Sequence, residues 1–236
     1  MAVALIVAAG RGERLGFGGP KALVTVAGRP MLEWSLDALR QVPAVEEVVV
    51  ALPAGRLDSA PEGTVAVAGG TTRSGSVLAA LQASRAGGDP VVVHDAARPL
   101  VAAETFVQAL AAVDRPGVDA VVAAAPVADT IKQTVVSEGT GADSPGGGGL
   151  RVVGTLDRRG LWAVQTPQVF RRGMLEAVFA DASAELLEQA TDDAWLVERA
   201  GGCVVVLPSP AENLKITTRL DLHIAEVILG DRIGGG

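Results

Sequence analysis

Short runs of β-branched residues alternate along this chain with segments whose apolar residues recur every three or four positions. Val3 to Ala8 contains no polar residue, and the following segment from Pro30 to Leu39 places Leu32, Leu36 and Leu39 on one helical face. A strand that is apolar throughout is buried on both sides, and in parallel sheets helices provide that cover. The alternation therefore predicts an α/β fold with a mainly parallel, Rossmann-like sheet and helices on both faces.

The same pattern continues along most of the chain and predicts one domain over residues 1–230. Further strands are expected at 47–52, 64–68, 90–94, 118–124 and 204–207, and further helices at 74–85, 103–113, 172–180 and from near Thr191. Thr218, with Asp221 three residues later, is typical of the start of a last helix. We expect that helix to end at Gly230 and residues 231–236 to form a disordered tail.

Two strand-like segments after residue 125 are separated by a polar, glycine-rich insert. They are Ile131 to Val136 and Leu150 to Leu156, and the insert covers 137–149. Strands joined in this way form a β-hairpin arm, at about 130–160, that projects from the domain, and the insert is expected to be a mobile loop. Because a two-stranded hairpin is barely stable alone, we expect the arm to pack on a second subunit; packing on its own chain is the alternative.

Charge and cysteine content limit the partners of the chain. It has 20 Lys and Arg against 27 Asp and Glu, a net charge of -7, whereas a general nucleic-acid footprint is basic. The single cysteine, Cys203, is followed by an apolar run that predicts a buried strand thiol. The longest uncharged run, 200–211, is too short to span a membrane, and the first residues lack the basic flank of a signal peptide. We expect a cytoplasmic protein that binds neither nucleic acid nor membranes.

A glycine-rich turn follows the first predicted strand. From Gly10 to Lys21 it contains five glycines and three basic residues, among them Gly10, Gly12, Gly16, Arg14 and Lys21. Glycines let backbone N–H groups approach phosphate oxygens closely, and the basic side chains add positive charge. The spacing of the glycines does not match the dinucleotide fingerprint, and Ala22 after Lys21 excludes a P-loop. The turn therefore indicates a phosphate site of another kind, with a purely structural turn as the alternative.

An acid and a base follow the strand predicted at 90–94. Asp95 and Arg98 lie at its carboxyl end, where open α/β sheets bind ligands. Asp95 is suited to hold Mg²⁺ together with substrate phosphates, and Arg98 to bind a phosphate. An internal Asp–Arg ion pair is the alternative, and His94 is expected to be a packed core residue.

A series of short motifs in a fixed order resembles the 2-C-methyl-D-erythritol 4-phosphate cytidylyltransferase family from Val3 to about Ile228. The motifs are Ala8-Ala9-Gly10 with Pro20-Lys21, Gly69-Gly70 with Arg73 and Ser76, His94 to Pro99, Asp129 to Lys132, Asp157-Arg158, Thr166 to Gln168, Thr191-Asp192, and Glu212 to Lys215. The resemblance implies a GT-A-like nucleotidyltransferase sheet. It also implies cytidylyl transfer from CTP to 2-C-methyl-D-erythritol 4-phosphate in non-mevalonate isoprenoid biosynthesis, with release of pyrophosphate and formation of 4-diphosphocytidyl-2-C-methyl-D-erythritol.

The resemblance also implies which residues act. The implied catalytic residues are Arg14, Lys21, Arg158 and Lys215. The implied CTP site consists of Ala8, Ala9, Gly10, Gly12, Arg14, Lys21, Gly69, Gly70, Thr71, Ser76, Asp95, Ala96 and Lys215. The implied polyol-phosphate site consists of Asp95, Arg98, Thr130, Arg158, Thr166, Thr191 and Lys215. Family membership further implies Mg²⁺ or another divalent cation on Asp95, and a homodimer in which Arg158 reaches the partner's site.

Two other functions stay open at this point. A ribitol 5-phosphate cytidylyltransferase shares most of the motifs, and a non-catalytic nucleotide-binding module shares the fold. The second alternative predicts missing charge at the α-phosphate, whereas both Arg14 and Lys21 are present. Thr191 before Asp192 is by itself typical of a helix N-cap, so its ligand role depends on the resemblance alone.

Overall fold

The computed structural model describes residues 1–10, 12, 15–16, 19–136 and 149–234. In chain order the strands are β1 (Ala2–Val7), β2 (Thr25–Val26), β3 (Arg29–Pro30), β4 (Val45–Leu52), β5 (Val65–Ala68), β6 (Val91–Asp95), β7 (Ala120–Pro126), β8 (Lys132–Val136), β9 (Leu150–Thr155), β10 (Trp162–Phe170) and β11 (Val204–Pro208). The helices are α1 (Met31–Arg40), α2 (Arg73–Ala83), α3 (Ala103–Val113), α4 (Arg172–Asp181), α5 (Ala184–Gln189), α6 (Asp193–Arg199) and α7 (Arg219–Gly234). Short 3-10 helices cover Lys21–Leu23, Ala54–Ser59 and Arg158–Gly160.

Seven strands form the central sheet in the order β11-β7-β10-β6-β1-β4-β5. Neighbouring strands are parallel except where β10 runs antiparallel to β6 and to β7. The predicted mainly parallel sheet is therefore confirmed. The antiparallel strand is the one that enters the sheet directly after the hairpin arm.

Helices cover both faces of this sheet because its central strands are apolar on both sides. In β1, Ala4 and Ile6 belong to the hydrophobic cluster on one face, and Val3 and Leu5 to the cluster on the other. All four side chains are fully buried. Burial on both faces is what the uninterrupted apolar run in the sequence predicts, and that prediction is confirmed.

The predicted hairpin is present as the antiparallel pair β8 and β9. Its side chains are almost all exposed, including apolar ones: Val136 is 74% exposed and Leu150 is 70% exposed. Large apolar side chains on an open two-stranded element mark a surface suited to a partner. The insert expected to be mobile lies mostly outside the described residues, which resume at residue 149.

Two predictions about local structure are wrong. Cys203 is exposed rather than buried, because it precedes β11 at the edge of the sheet, where its backbone N–H donates to Asp119 Oδ2 over 2.8 Å. Helix α7 continues past Gly230 to Gly234, since Arg232 donates from Nη1 to the Leu100 carbonyl over 3.1 Å and holds the last turn. Residues 231–234 are thus helical, and the rest of the expected tail lies outside the described part.

The remaining predictions about organisation differ in outcome. The start of α7 is confirmed, because the Asp221 backbone N–H donates to the Thr218 hydroxyl over 3.2 Å. A single domain over residues 1–230 stays a prediction. Among the described residues, no helix combines the length and the apolar character needed to cross a bilayer.

Candidate active site

A cleft of about 750 Å³ lies at the carboxyl ends of the parallel strands. Its walls come from the segments that follow β1, β4, β5 and β6, which all end at the same edge of the sheet. The structure places here every predicted CTP-site residue that it describes: Ala8, Ala9, Gly10, Gly12, Lys21, Gly69, Gly70, Thr71, Ser76, Asp95, Ala96 and Lys215. Arg14 lies outside the described residues. The cleft therefore gathers residues that are far apart in the sequence.

The glycine-rich turn brings Lys21 back to the end of β1. The Lys21 backbone N–H donates to the Gly10 carbonyl over 3.0 Å, so the chain closes on itself across the turn. Gly12 has a φ of 68°, and a Cβ at this position would lie 2.9 Å from Lys21 Cβ. Glycine is needed here both for the left-handed backbone and for the close approach of Lys21.

The wall formed by the segment after β5 lies close against the end of β1. A Cβ on Gly69 would lie 2.4 Å from Ala9 Cβ and 2.9 Å from Ser76 Oγ. No side chain fits between these groups without moving one of them. The glycine therefore lets the segment after β5 pack directly against the end of β1, so that backbone and small side chains line the cleft here.

Asp95 lies between two cations in the cleft. Arg73 Nε is 3.0 Å from one carboxylate oxygen, and Lys215 Nζ is 2.7 Å from the other. Burial alone raises the pKa of a carboxyl group, but the charges of Arg73 and Lys215 outweigh it and hold the pKa of Asp95 well below its usual range. The charged form of Asp95 is therefore the favoured one at neutral pH.

Lysine is rare in this chain and concentrated in the cleft. The sequence contains only three lysines, and two of them, Lys21 and Lys215, line the cleft, while Lys132 lies on the arm. Lys215 is held by its neighbours: the backbone N–H of buried Ile216 donates to the Ala97 carbonyl over 2.8 Å. In an acidic protein, this placement supplies the local positive charge that a phosphate ligand requires.

Arg98 and Thr166, both predicted to bind the polyol phosphate, make internal hydrogen bonds. Arg98 is 8% exposed, and its Nη1 donates to the Asn213 carbonyl over 2.7 Å. The Thr166 hydroxyl accepts from the Asp95 backbone N–H over 3.0 Å and lies 3.0 Å from His94 Nδ1. Burial lowers the pKa of His94 to about 3, so its ring is neutral and Nδ1 can accept the hydroxyl hydrogen. Both residues thus hold the segments that carry Asp95 and Lys215.

Three other residues of the predicted polyol-phosphate site do not line the cleft of the single chain. Thr130, Arg158 and Thr191 are exposed, and Arg158 Nη1 donates to the Ala128 carbonyl at the base of its own arm.

The N-cap of α6 is Asp192, whose Oδ1 accepts from the Trp195 N–H, so the cap expected at Thr191 is wrong. The side chain of Asp192 reaches the free N–H groups of the first helical turn, and Thr191 is left one position outside it.

Sequence reasoning gave no role to two residues that the structure places at this site. Arg73 lines the cleft and donates to Asp95, and its Nη1 also lies 2.5 Å from Oδ2 of buried Asp193. The Gly69-Gly70 motif includes Arg73, but its two carboxylate partners lie 22 and 120 residues further along the chain.

In the described ranges, no cluster of three or more His, Cys, Asp or Glu could hold a metal ion.

A positively charged cleft at the strand ends of a mainly parallel α/β sheet is suited to bind a nucleoside triphosphate. Comparison with known proteins identifies the chain as a nucleotidyltransferase. The model of the IspD family, 2-C-methyl-D-erythritol 4-phosphate cytidylyltransferase, matches residues 2–231. The chain belongs to this family, as the order of the sequence motifs predicts. The family activity is cytidylyl transfer from CTP to 2-C-methyl-D-erythritol 4-phosphate in isoprenoid biosynthesis.

Curated proteins and solved structures agree with this assignment. The 2-C-methyl-D-erythritol 4-phosphate cytidylyltransferase of Deinococcus radiodurans is 46% identical over 98% of this chain and 91% of that protein. The enzyme of the same name from Frankia casuarinae is 44% identical over 96% of this chain and 80% of that protein. The crystal structure of the Thermus thermophilus enzyme has a TM-score of 0.76 at 36% identity and covers 97% of this chain and 98% of that one.

Proposed function

We propose that the cleft at the strand ends is where this chain transfers the cytidylyl group of CTP to the phosphate of 2-C-methyl-D-erythritol 4-phosphate, releasing pyrophosphate. The observation that carries the proposal is that Lys21, Lys215 and Asp95 meet at one cleft beside the glycine-rich turn. A triphosphate needs cations close to its phosphates, and a chain with a net charge of -7 offers few such places.

The reaction requires alignment and charge neutralisation rather than a general base. The attacking group is a phosphate oxygen, and a phosphomonoester is mostly dianionic at neutral pH because its second pKa is near 6. The oxygen attacks the α-phosphorus of CTP in line with the bond to the leaving pyrophosphate. The neutral ring of His94 is buried against Thr166 and Phe106 and does not line the cleft, which agrees with chemistry that needs no base.

We assign the cationic residues by their place along this path. Lys21, at the end of the glycine-rich turn, stabilises the negative charge that accumulates at the α-phosphate, together with Arg14 of the same turn. Lys215 lies across the cleft, beside Asp95, and positions the attacking phosphate. Preorganised cations act strongly in such a cleft because they need not reorient as the transition state forms.

The part of the cleft beside Gly69 is assigned to cytosine. Its walls are backbone and small side chains, so we assign recognition of the pyrimidine to backbone groups and exclusion of the larger purine to the closeness of these walls. Ser76 and Thr71 line the same cleft nearby, and we assign them to the ribose of CTP.

Substituting Gly69 by alanine is expected to raise the Kd for CTP at least tenfold. The new methyl group would overlap Ala9 and push apart two segments that both line the cleft. Overpacking of this kind costs about 1–3 kcal/mol, and a displaced wall that weakens CTP binding by about 1.4 kcal/mol raises the Kd tenfold. Titration calorimetry with CTP measures the change. Gly173→Ala is the matched control, because a Cβ on Gly173 meets no atom within 4 Å. An unchanged Kd in Gly69→Ala would place the base elsewhere.

Asp95 fits a magnesium ion, which we propose as the cofactor. It is a carboxylate that faces the cleft, and Mg²⁺ is usually held by one or two carboxylates together with substrate phosphates. The contacts of Asp95 with Arg73 and Lys215 occupy one lone pair on each oxygen and leave others available. When bound, the ion would neutralise part of the triphosphate charge.

We further propose a homodimer in which the arm of one subunit completes the site of the other. The arm exposes apolar side chains on both strands, including Val136, Leu150 and Val152, and carries Arg158 at its base. Thr130 and Arg158 do not line the cleft of their own chain, so a second subunit is the simplest source of these groups. We also propose a cytoplasmic location, because CTP is a metabolite of the cell interior.

The proposed function is tested by supplying each nucleoside triphosphate with Mg²⁺ and one polyol phosphate and measuring pyrophosphate. We expect release only with CTP and 2-C-methyl-D-erythritol 4-phosphate. Release with ribitol 5-phosphate instead would change the substrate, and release with neither would favour a nucleotide-binding module. The Lys21→Ala variant, run in parallel, shows that the pyrophosphate arises in this cleft.

A further inference from the structure

One arginine joins two carboxylates that come from different parts of the fold. Arg73, at the start of α2, contacts Asp95 at the end of β6 through Nε, and Asp193 at the start of α6 through Nη1. The distances are 3.0 Å and 2.5 Å. The planar guanidinium presents its nitrogens in fixed directions, so the two contacts together determine where the Asp95 oxygen lies.

Asp193 is completely buried, and it keeps Arg73 in this position. Its Oδ2 pairs with Arg73, whereas Oδ1 has no hydrogen-bond partner among the described residues. A buried carboxylate is costly unless a cation compensates it, so Asp193 holds the guanidinium on the inner side of the cleft. Asp95 is consequently fixed on two sides, by Arg73 from within and by the more exposed Lys215 from the mouth.

The same contact fixes a segment that the sequence motifs connect with the polyol phosphate. Asp193 is two residues after Thr191, and the neighbouring Asp192 accepts from Gln168 Nε2 over 2.9 Å. These contacts attach the start of α6 to β10 and to the edge of the cleft. Thr191 thus lies on a segment whose place is set from the cleft side by Arg73.

We propose that Arg73 is a positioning residue for the polyol-phosphate half of the site. It positions the Asp95 carboxylate, which meets the incoming polyol, and through its contact with Asp193 it positions the segment that carries Thr191. The inference rests on the proposed function. It predicts that Arg73 affects the use of the polyol phosphate far more than the binding of CTP in the absence of Mg²⁺, to which the proposed ion on Asp95 does not contribute.

The test compares three variants of the full-length chain, R73M, R73K and the double variant R73M/D193N. R73M alone leaves Asp193 as an uncompensated buried charge, so its loss of activity could come from unfolding. The double variant removes that charge and is expected to recover the Tm. Its kcat/KM for 2-C-methyl-D-erythritol 4-phosphate should still be about 10- to 100-fold lower, as is typical when the partner of a functional carboxylate is lost. Its Kd for CTP, measured without Mg²⁺ so that the proposed ion on Asp95 does not contribute, should stay within about twofold of the unmodified value.

R73K keeps the positive charge but cannot offer two fixed nitrogens to two carboxylates. We expect a stable protein with an intermediate loss in kcat/KM for the polyol phosphate. R85M is the matched control, because Arg85 follows the other end of α2 and forms an exposed pair with Glu46. R85M should change neither kcat/KM for the polyol phosphate nor the Kd for CTP.

Three results would overturn the proposal. Full recovery of kcat/KM in R73M/D193N would mean that Arg73 only neutralises Asp193, and full activity of R73K would mean that fixed geometry is not needed. A Kd for CTP that is tenfold weaker in the double variant without Mg²⁺ would make Arg73 a direct nucleotide ligand. Failure of the proposed function is distinguishable from these results, because the unmodified protein itself would then release no pyrophosphate. That result would remove the proposed function and the inference with it.

Discussion

Replacing Lys21 by alanine is expected to lower kcat about 10²–10³-fold, the loss seen when one preorganised donor to a developing negative charge is removed. The fold should persist, because the contact that closes the glycine-rich turn is made by the backbone N–H of residue 21, which alanine retains. The loss should fall mainly on kcat, since Lys21 is assigned to charge that accumulates in the transition state.

Steady-state kinetics with both substrates measure this effect, and thermal unfolding confirms the fold. Lys132→Ala is the control, because Lys132 is an exposed residue of the arm whose Nζ donates to Thr155. A Lys21→Ala enzyme with a kcat within threefold of the unmodified one would remove this residue from the catalytic path.

Coexpression of Lys21→Ala and Arg158→Ala subunits is expected to restore activity that neither variant has alone. If the arm completes the partner's site, a mixed dimer contains one site with both residues intact and one with neither. Random pairing makes half of the dimers mixed, so about a quarter of the unmodified activity should return in a symmetric homodimer.

The purified mixture is assayed beside each variant alone. Coexpression of Lys21→Ala with Lys215→Ala is the control, because both residues line the cleft of the same chain and every site in that mixture lacks one of them. Activity in the Arg158 mixture that only equals the mean of its parents would show that each site is built from a single chain.

The fold was predictable because its strands and most of its helices bury apolar residues with a regular period. The helix predicted at 103–113 is α3, with the same bounds. Helix α5 escaped prediction because it has only six residues and only partly buries Leu186 and Leu187, which is too short a stretch for a periodic signal. The apolar run after Cys203 indicated a strand. Nothing in that run shows that the strand lies at the edge of the sheet, or that Cys203 just before it is exposed to solvent.

The cleft was predictable through motifs, and its inner contacts were not. Gly69, Asp95 and Lys215 could be placed together because each belongs to a motif of one family. The pairing of Arg73 with Asp193 spans 120 residues, and no local pattern reports a contact at such separation. For the same reason the sequence could not show that Arg98 binds the Asn213 carbonyl, 115 residues away.

The two ends of the arm enter the sheet as hydrogen-bonded neighbours, with Trp162 of β10 opposite Pro126 of β7. The chain therefore leaves the sheet after β7 and returns to the adjacent position in β10, with the hairpin of β8 and β9 between them. The folding of the nucleotide-binding body places little demand on what happens between those two points. Length and composition there can vary at little cost to the body, and in the proposed homodimer the fit between the two subunits would be what constrains them.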